Sequence, residues 1–393
     1  VGHGARRILL GQPMVSGSEV LVGPSTRAAT SLTIAYEARG PIAAKGREEP
    51  VDTWLALSPI VPPGYRARRE GVPLVGRQHE VAVLQRAVDL SVTNRRAGLV
   101  LLLGDVGLGK SRLSDEVASW AAATHRAVVR EGRCVPYGEA NVWWPIADAL
   151  RSALGLADGD DRERARAGLV AEVRRTLAEG TNEAEVDRTA DGLLTLMGYE
   201  PPGAVDPAVT HRSAARALAD YLAAATARRP LVLKFSDLHF ADDVVLALLD
   251  EVFEHVHHRP VVVVATARPT VLDRWSPRAG RHNTLALHLD PLTQASTGEL
   301  LEVLSGGPVR PEVVSAFYNR SGGNPFFVEE LVALLDSQQE VTAGAAGSGD
   351  DGHDGHDGHH AHDGHGHGAD DGPAGPGAGR ALTRAAAFPD ALP

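Results

Sequence analysis

Residues Gly104-Asp105-Val106-Gly107-Leu108-Gly109-Lys110-Ser111 are the most informative part of the sequence, because they satisfy the pattern Gly-x4-Gly-Lys-Ser/Thr at every defined position. Leu99 to Leu103, directly before it, form an unbroken apolar run that predicts a strand buried on both faces. From Leu113 onward, apolar residues recur at helical spacing. The stretch is therefore predicted to be a tight loop between a buried strand and the N-terminus of a helix.

The residue types of this loop predict a polyphosphate site. The glycines permit positive φ, so backbone N–H groups can curl around a phosphate, and the helix N-terminus adds unpaired donors. The pattern predicts that Lys110 neutralises the β- and γ-phosphates and that the Ser111 hydroxyl binds Mg²⁺. Only three of the 39 basic residues are lysines, which indicates that position 110 needs a compact point charge. ATP and Mg²⁺ are the predicted cofactors, and residues 104–111 with Arg112 are the predicted nucleotide contacts.

Composition narrows the class of protein. A chain of 393 residues with 43% hydrophobic content can hold two or three domains. No 18 apolar residues occur in a row, so no membrane span is expected, and the net charge of −11 argues against direct nucleic-acid binding by this portion. The single cysteine, Cys134, fits a cytoplasmic location, and the start at valine without a signal-peptide pattern predicts a piece of a longer protein.

The first 57 residues carry short strand-like runs, Val20–Val22 and 32–36, between turn residues. Four spaced pieces, namely Arg6, residues 17–23, residues 40–46 and Pro50-Val51, resemble the last third of a class III adenylate/guanylate cyclase domain, an α+β fold.

That resemblance implies roles for an Asn and, four residues later, an Arg, which handle the ribose and the transition-state phosphate. Arg6 takes the Arg position, but Gly2 stands where the Asn is expected, and the family's upstream metal-binding Asp pair has no counterpart. Residues 1–57 are therefore interpreted as a cyclase-domain remnant that does not itself cyclise nucleotides.

Motifs around the phosphate loop resemble those of AAA-type and STAND-type ATPases and occur in the same order. Val75-Gly76-Arg77, followed by Glu80 and a predicted helix, resembles the segment that packs over adenine and ribose in those families. The resemblance implies nucleotide contacts for Gly76 and Arg77, the alternative being an ordinary turn that caps a helix.

The run from Leu231 to Asp237 predicts a strand that ends in an acid, followed by Leu238-His239-Phe240-Ala241-Asp242. It resembles the Walker B segment of these ATPases, and its end is expected beside the phosphate loop, where Mg²⁺ and the attacking water need a carboxylate. Ser236 replaces the first acid of that motif and brings no charge, so weakened Mg²⁺ binding or hydrolysis is expected. Asp237 is the predicted catalytic and metal-binding acid, and Mg²⁺ coordination and water orientation both stay open as its role.

Two later segments extend the resemblance. Val261–Ala267 predicts a buried strand, and Arg268 after it takes the place of an arginine that senses the γ-phosphate, or alternatively caps the strand at the surface. In the segment from Gly322 to Leu331, Asn324 is suited to cap a helix and Pro325 to start it. This segment resembles the STAND lid, which implies that Pro325 approaches the adenine.

The predicted fold class is α/β, a P-loop NTPase parallel sheet with helices on both faces and a small helical lid, preceded by the α+β remnant. Residues 156–229 show helical spacing and predict a helical insertion in this core. Residues 342–380 lack large apolar side chains and are expected to be disordered, and their seven histidines between 353 and 367 suit a flexible linker better than a Zn²⁺ or Ni²⁺ site. The predicted domains are the cyclase remnant (1–57), a linker (58–71), the ATPase core (72–290), the lid (291–341), the His/Asp/Gly-rich linker (342–380) and the start of a helical domain (381–393).

The predicted function is that of an ATP-binding, slowly hydrolysing regulatory switch in a bacterial signalling or transcription-control protein. ATP or ADP, other domains of its own parent chain and a homo-oligomer are the expected partners. Two alternatives stay open: a regulatory part of an active cyclase whose catalytic residues lie upstream, and a nucleotide-bound scaffold without hydrolysis.

Overall fold

The computed structural model of the protein describes residues 20–31, 33–42, 50–60, 73–135, 141–156, 160–199, 206–277 and 283–346. The chain divides into two compact units, Val1–Val72 and Pro73–Pro393. Gly2, Arg6, the histidines of 353–367 and the segment 381–393 lie outside the described residues, so the interpretations given for them stay predictions.

The first unit contains a small antiparallel sheet. Its elements are β1 (Val20–Val22), α1 (Pro24–Thr30), β2 (Ile34–Ile42) and β3 (Val51–Pro59), with strand order β1-β3-β2. The run Val20–Val22 is confirmed as a strand, whereas the second predicted run begins at Ile34 and continues to Ile42. Strand β3 is additional to both, and it ends two residues beyond the predicted end of the remnant at residue 57.

The second unit alternates strands and helices, as predicted. Its elements in chain order are α2 (Gln78–Thr93), β4 (Gly98–Leu103), α3 (Lys110–His125), β5 (Val128–Arg133), α4 (Trp144–Leu154), α5 (Arg162–Thr176), α6 (Glu183–Leu196), α7 (Pro207–Ala225), β6 (Leu231–Ser236), α8 (Asp243–Val256), β7 (Val261–Ala267), β8 (Asn283–His288), α9 (Gln294–Ser305), α10 (Pro311–Ser321) and α11 (Pro325–Ala346). The predicted insertion at 156–229 is helical, as α5, α6 and α7 show.

Five parallel strands form the central sheet in the order β5-β6-β7-β4-β8. Strand β7 lies between β4 and β6, so β6 is the second strand from the one that precedes the phosphate loop. A parallel sheet pairs strands distant in sequence, so the spacing of motifs along the chain does not reveal which strand inserts between them. The ends of β6 and β7 nevertheless share the edge of the sheet from which the phosphate loop emerges.

Apolar side chains cover both faces of this sheet. On one face, α2 and α3 pack against β4 and β7 through a cluster that includes Leu84, Leu113, Val117, Leu102 and Val264. On the other face, a larger cluster joins the sheet to α4 through α8. Burial on both faces explains why β4 and β7 read as uninterrupted apolar runs. The P-loop-type α/β architecture predicted from the sequence is confirmed.

The stretch predicted as a lid (291–341) is helical, and its last helix continues to Ala346, five residues into the segment predicted as a linker. Helices α9, α10 and α11 pack against one another after β8. None of the helices in the described part of the chain has an apolar stretch long enough to cross a bilayer.

Candidate nucleotide site

The phosphate loop adopts the conformation that its glycines predict. Gly104, Gly107 and Gly109 have φ of 150°, 88° and 90°, in the region that favours glycine over residues with a Cβ. The loop leaves β4 at Leu103 and enters α3 at Lys110, so the unpaired N–H groups of the first turn of α3 face the space enclosed by the loop. This geometry is that of an anion-binding concavity.

Lys110 lies across its own loop. Its Nζ donates to the carbonyl oxygens of Gly104 at 2.8 Å and Asp105 at 2.6 Å, and only 8% of the residue is exposed. Burial lowers the pKa of Lys110, and the nearby carboxylates of Asp237 and Asp105 partly offset that effect. A desolvated ammonium of this kind gains from an additional anion, as a bound phosphate would provide.

The residues of the loop fit the phosphates of a nucleoside triphosphate. A Cβ at Gly109 would have no atom within 4 Å, so open space lies next to the backbone where a phosphate would sit. For Mg²⁺, the available groups are the exposed Ser111 hydroxyl and the carboxylate of Asp237. The described residues contain no cluster of three or more His, Cys, Asp or Glu suited to a metal. A few protein ligands completed by phosphates and water suit Mg²⁺, which rarely occupies an all-protein cage.

Asp237 is held at the end of β6 in a strained conformation. Its φ of 58° is left-handed, which is uncommon for a residue with a side chain, and its N–H donates to Thr266 Oγ1 of β7 at 3.0 Å. The carboxylate is the largest charge raising the pKa of Lys110, which places the two groups in one electrostatic cluster. Strained residues persist where the surroundings over-determine them and often occur at functional sites.

Ser236 and Cys134 form the buried floor beside Asp237. Ser236 is largely buried, and its carbonyl accepts the Cys134 N–H at 2.9 Å. Burial raises the pKa of the Cys134 thiol far above its usual range, with Asp237 adding to that effect. Cys134 is therefore the small buried residue expected of an unreactive thiol.

Arg268 follows β7 and contributes to the same cluster. Its positive charge adds to the lowering of the pKa of Lys110, and its side chain is exposed. Its backbone N–H donates to His239 Nδ1 at 3.3 Å, so His239 carries its proton on Nε2 when neutral. Burial is the main cause that lowers the pKa of His239.

His239 was assigned no role by the sequence, although it lies in the segment that resembles Walker B. It links that segment to the end of β7 and thereby holds the backbone of Arg268 in place. In the part of the chain that the structure describes, its buried Nε2 has no hydrogen-bond partner.

Gly76 and Arg77 approach the loop but contact protein groups. The guanidinium of Arg77 pairs with Glu80 at 2.9 Å and donates to the carbonyls of Leu108 and Asp290, with 6% of the residue exposed. A Cβ on Gly76 would lie 2.6 Å from Ser296 of α9. The structure therefore places this segment between the phosphate loop and the lid, and the guanidinium is engaged within the protein.

The lid is hydrogen-bonded directly to the phosphate loop. Asn324 Nδ2 donates to the carbonyl of Val106 at 2.9 Å, and the N–H of Phe326 reaches the carbonyl of Gly107 at 3.3 Å. Asn324 Oδ1 accepts from the N–H of Phe326, which confirms the predicted cap, and Pro325 is the first residue of α11 as predicted. A looser contact joins Arg112 to Glu329 at 3.8 Å. The hydrogen bonds of Asn324 and Phe326 bring Pro325, which lies between them, close to the phosphate loop, and its adenine contact stays a prediction.

A glycine-rich loop between a buried parallel strand and a helix, with an acid on the second strand from it, defines a P-loop nucleotide site in an α/β sheet. Residues 73–264 match the family model of the AAA ATPase domain.

Relatives and solved structures add the following comparisons. Uncharacterized protein R02095 of Rhizobium meliloti (strain 1021) is 29% identical over 327 residues, which are 81% of this chain and 31% of that protein. The chain thus spans about a third of the length of the curated relative it matches.

Among solved structures, the Aeropyrum pernix ORC1 protein in complex with DNA is similar with a TM-score of 0.44 and 13% identity, covering 70% of this chain and 63% of that one. A Pyrococcus horikoshii STAND protein with a tetratricopeptide repeat sensor is similar with a TM-score of 0.35 and 15% identity, covering 66% and 29%. The Thermotoga maritima RuvB Holliday junction branch migration motor has a TM-score of 0.37 and 15% identity, covering 68% and 64%.

Proposed function

We propose that the second unit is an ATP-binding switch that hydrolyses ATP slowly. The observation that carries the proposal is the pairing of Lys110 with two carbonyls of its own loop, next to open space at Gly109 and to a lid bonded to the same loop. Each of these features meets one requirement of a nucleotide switch. Lys110 is a cation for the phosphates, the space at Gly109 has room for them, and the lid is a segment that can respond to their binding.

Binding would turn Lys110 from the carbonyls of Gly104 and Asp105 to the β- and γ-phosphates. The exchange is favourable because a charge-assisted bond to phosphate is stronger than one to a neutral carbonyl. The N–H groups of the loop and of the first turn of α3 would hold the remaining phosphate oxygens. Mg²⁺, held by Ser111 and Asp237 with the phosphates and water, would neutralise charge that develops on the γ-phosphate.

Slow turnover follows from the residues at the end of β6. Asp237 supplies one carboxylate, while Ser236 supplies none, so either the metal or the attacking water lacks the second acid of the Walker B pattern. Arg268 lies in the same electrostatic cluster, positioned by His239, and is the residue we assign to γ-phosphate recognition.

The switch itself would be the contact between lid and loop. The carbonyls of Val106 and Gly107 accept hydrogen bonds from the lid. The N–H groups of the same loop are the donors that would hold a phosphate. A change in loop conformation on nucleotide binding or release would therefore change the lid contacts. We propose that other domains of the parent chain read this change, in a bacterial signalling or transcription-control protein that assembles as a homo-oligomer in the cytoplasm.

A scaffold that binds nucleotide without hydrolysis is the second candidate, favoured by Ser236 alone. For the first unit, we keep the proposal that it is the end of a class III cyclase domain, with its α+β sheet as support. The presence of the family's metal-binding Asp pair in the protein would test that part, since an active cyclase needs both acids.

The test measures ATP and ADP affinity and phosphate release by the full chain, with and without Mg²⁺. Lys110→Ala removes a charged donor to phosphate and is expected to weaken ATP binding by about 10- to 100-fold, with Lys45→Ala in the first unit as the matched control. Phosphate release that equals the Lys110→Ala background, together with intact ATP affinity, would select the scaffold. Absence of measurable ATP or ADP affinity in the unsubstituted chain would refute the proposal.

A further inference from the structure

A second cavity lies at the opposite end of the strands from the phosphate loop. It has a volume of about 200 Å³ and is bounded by the sheet and by helices α4, α5, α7 and α8. Its walls include Val128, Leu231 and Val261, the first residues of β5, β6 and β7. The nucleotide site uses the other ends of these strands, so none of its residues lines this cavity.

Apolar side chains line most of the interior of the cavity, and the small ones among them leave room for a ligand. Alanines 149 and 153 of α4 and 224 and 225 of α7 line it, together with leucines and Phe253. Leu233 lines this cavity and is only partly buried, although the residues before and after it in β6 are buried. Protein cores rarely contain voids much larger than a water molecule, and an apolar void of roughly 150 Å³ is enough to bind benzene. The space therefore suits an apolar ligand.

The mouth of the cavity is strongly basic. Four arginines, 130, 175, 228 and 229, line it, and Glu172 is the one acid among the lining residues. Glu172 is already engaged, because it accepts from Tyr221 Oη at 2.9 Å and from Arg175 at 2.6 Å. Arg228 and Arg229 are exposed and, within the described residues, form neither an ion pair nor a side-chain hydrogen bond. Both guanidinium groups are thus available to an anion.

We propose that this cavity binds a single-chain anionic amphiphile, with its aliphatic chain among the alanines and leucines and its carboxylate at Arg228 and Arg229. The volume fits a chain of about six to ten carbons, judged against the roughly 150 Å³ apolar void that accommodates benzene. Guanidinium groups bind carboxylates with paired N–H donors, which selects this head group over a neutral or cationic one.

The first test is a calorimetric titration of the full chain with the straight-chain carboxylates from butanoate to decanoate, below their micelle concentrations. One binding site is expected, and each added CH₂ should tighten binding about fourfold until the cavity is full. Octyltrimethylammonium, with a comparable tail and a positive head, should bind at least about tenfold more weakly than octanoate. Equal affinity for the two, or no dependence on chain length, would overturn the proposal.

Charge reversal tests the mouth. Arg228→Glu combined with Arg229→Glu should weaken octanoate binding by at least about tenfold, since two charge-assisted contacts are lost. Arg212→Glu is the matched control, because Arg212 is an exposed arginine of α7 that does not line the cavity. Equal octanoate affinity in the double variant and the control would overturn the assignment of the head group.

Filling the cavity tests the tail. Ala153→Phe places an aromatic ring in the void and should abolish octanoate binding, whereas Ser152→Phe adds the same ring on the exposed side of α4 and should not. Far-UV circular dichroism and the melting temperature establish that each variant is folded. Should Ala153→Phe fail to fold, the chain-length series and the charge reversal still decide the question.

Discussion

Alanine at Gly107 is expected to detach the lid from the phosphate loop, whereas alanine at Gly109 is expected to leave the lid in place. The two glycines have φ of 88° and 90°, so alanine imposes the same backbone strain at both, about 1–2 kcal/mol. Their surroundings differ. A Cβ at Gly107 would lie 2.5 Å from Asn324 Oδ1 and 2.9 Å from Phe326 Cβ, while a Cβ at Gly109 would have no atom within 4 Å.

The difference between the two variants gives the strength of the lid contact. Moving Asn324 and Phe326 away from Gly107 breaks the hydrogen bonds at 2.9 and 3.3 Å, each contributing about 0.5–1.5 kcal/mol. Gly107→Ala should therefore destabilise the closed lid by about 1–3 kcal/mol more than Gly109→Ala does. The open population should then be about 5- to 150-fold larger in Gly107→Ala than in Gly109→Ala.

Amide hydrogen exchange of residues 324–332 measures this opening, and urea denaturation of the same samples measures the free energy of unfolding. Faster exchange is expected at these residues in Gly107→Ala, whereas the exchange rates in Gly109→Ala should be close to those of the unsubstituted chain. Equal exchange at the lid in the two variants would show that the loop does not hold the lid through these contacts.

Three further predictions concern buried polar groups. Ser236→Asp should raise phosphate release by at least about tenfold and lower the Mg²⁺ concentration that turnover requires, because it restores a charge next to the proposed metal site. Ser236→Asn, whose side chain is isosteric with Asp but uncharged, should do neither, and equal rates in the two variants would show that charge is not what limits turnover. Lys234, which is buried in β6, pairs with Asp115 and with Glu131 at 2.8 Å, so Lys234→Met should lower the free energy of unfolding in urea by about 2–4 kcal/mol, and a loss below about 1 kcal/mol would mean that the pairing is not stabilising. Cys134, whose thiol pKa is raised by burial, should react with iodoacetamide in urea but not in native buffer, as followed by mass spectrometry, and rapid native alkylation would contradict its burial.

Local pattern was sufficient to predict some strands and not others. Strands β4 and β7 are covered on both faces, so their apolar runs gave bounds correct to within one residue. Strand β5 runs from Val128 to Arg133, although Arg130, Glu131 and Arg133 leave no apolar run beyond residue 129. Glu131 is accommodated by Lys234 on the neighbouring strand, a cross-strand ion pair that no pattern along one segment can show.

The site divides in the same way. The phosphate loop and the acid at 237 could be predicted because their residue types are contiguous in sequence. The bond between Asn324 and Val106 joins residues 218 positions apart, and it depends on how the lid packs against the core. The hydrogen bonds of Arg77 to the carbonyls of Leu108 and Asp290 also join residues that are remote in sequence. The cavity at the other end of the sheet likewise depends on packing between separate elements. Their geometry arises from packing between elements that are remote in sequence.

The hydrogen bonds between the first turn of α11 and the phosphate loop would let this helix, with α9 and α10 packed against it, act as a lever arm. With 22 residues, α11 is about 33 Å long at 1.5 Å per residue, and its fulcrum lies where Asn324 and Phe326 touch the loop. A tilt of roughly 10° at that point would move the far end, near Ala346, by about 6 Å for a helix of this length. A small displacement of the phosphate loop would thus be magnified several-fold at the far end of the helix, near Ala346.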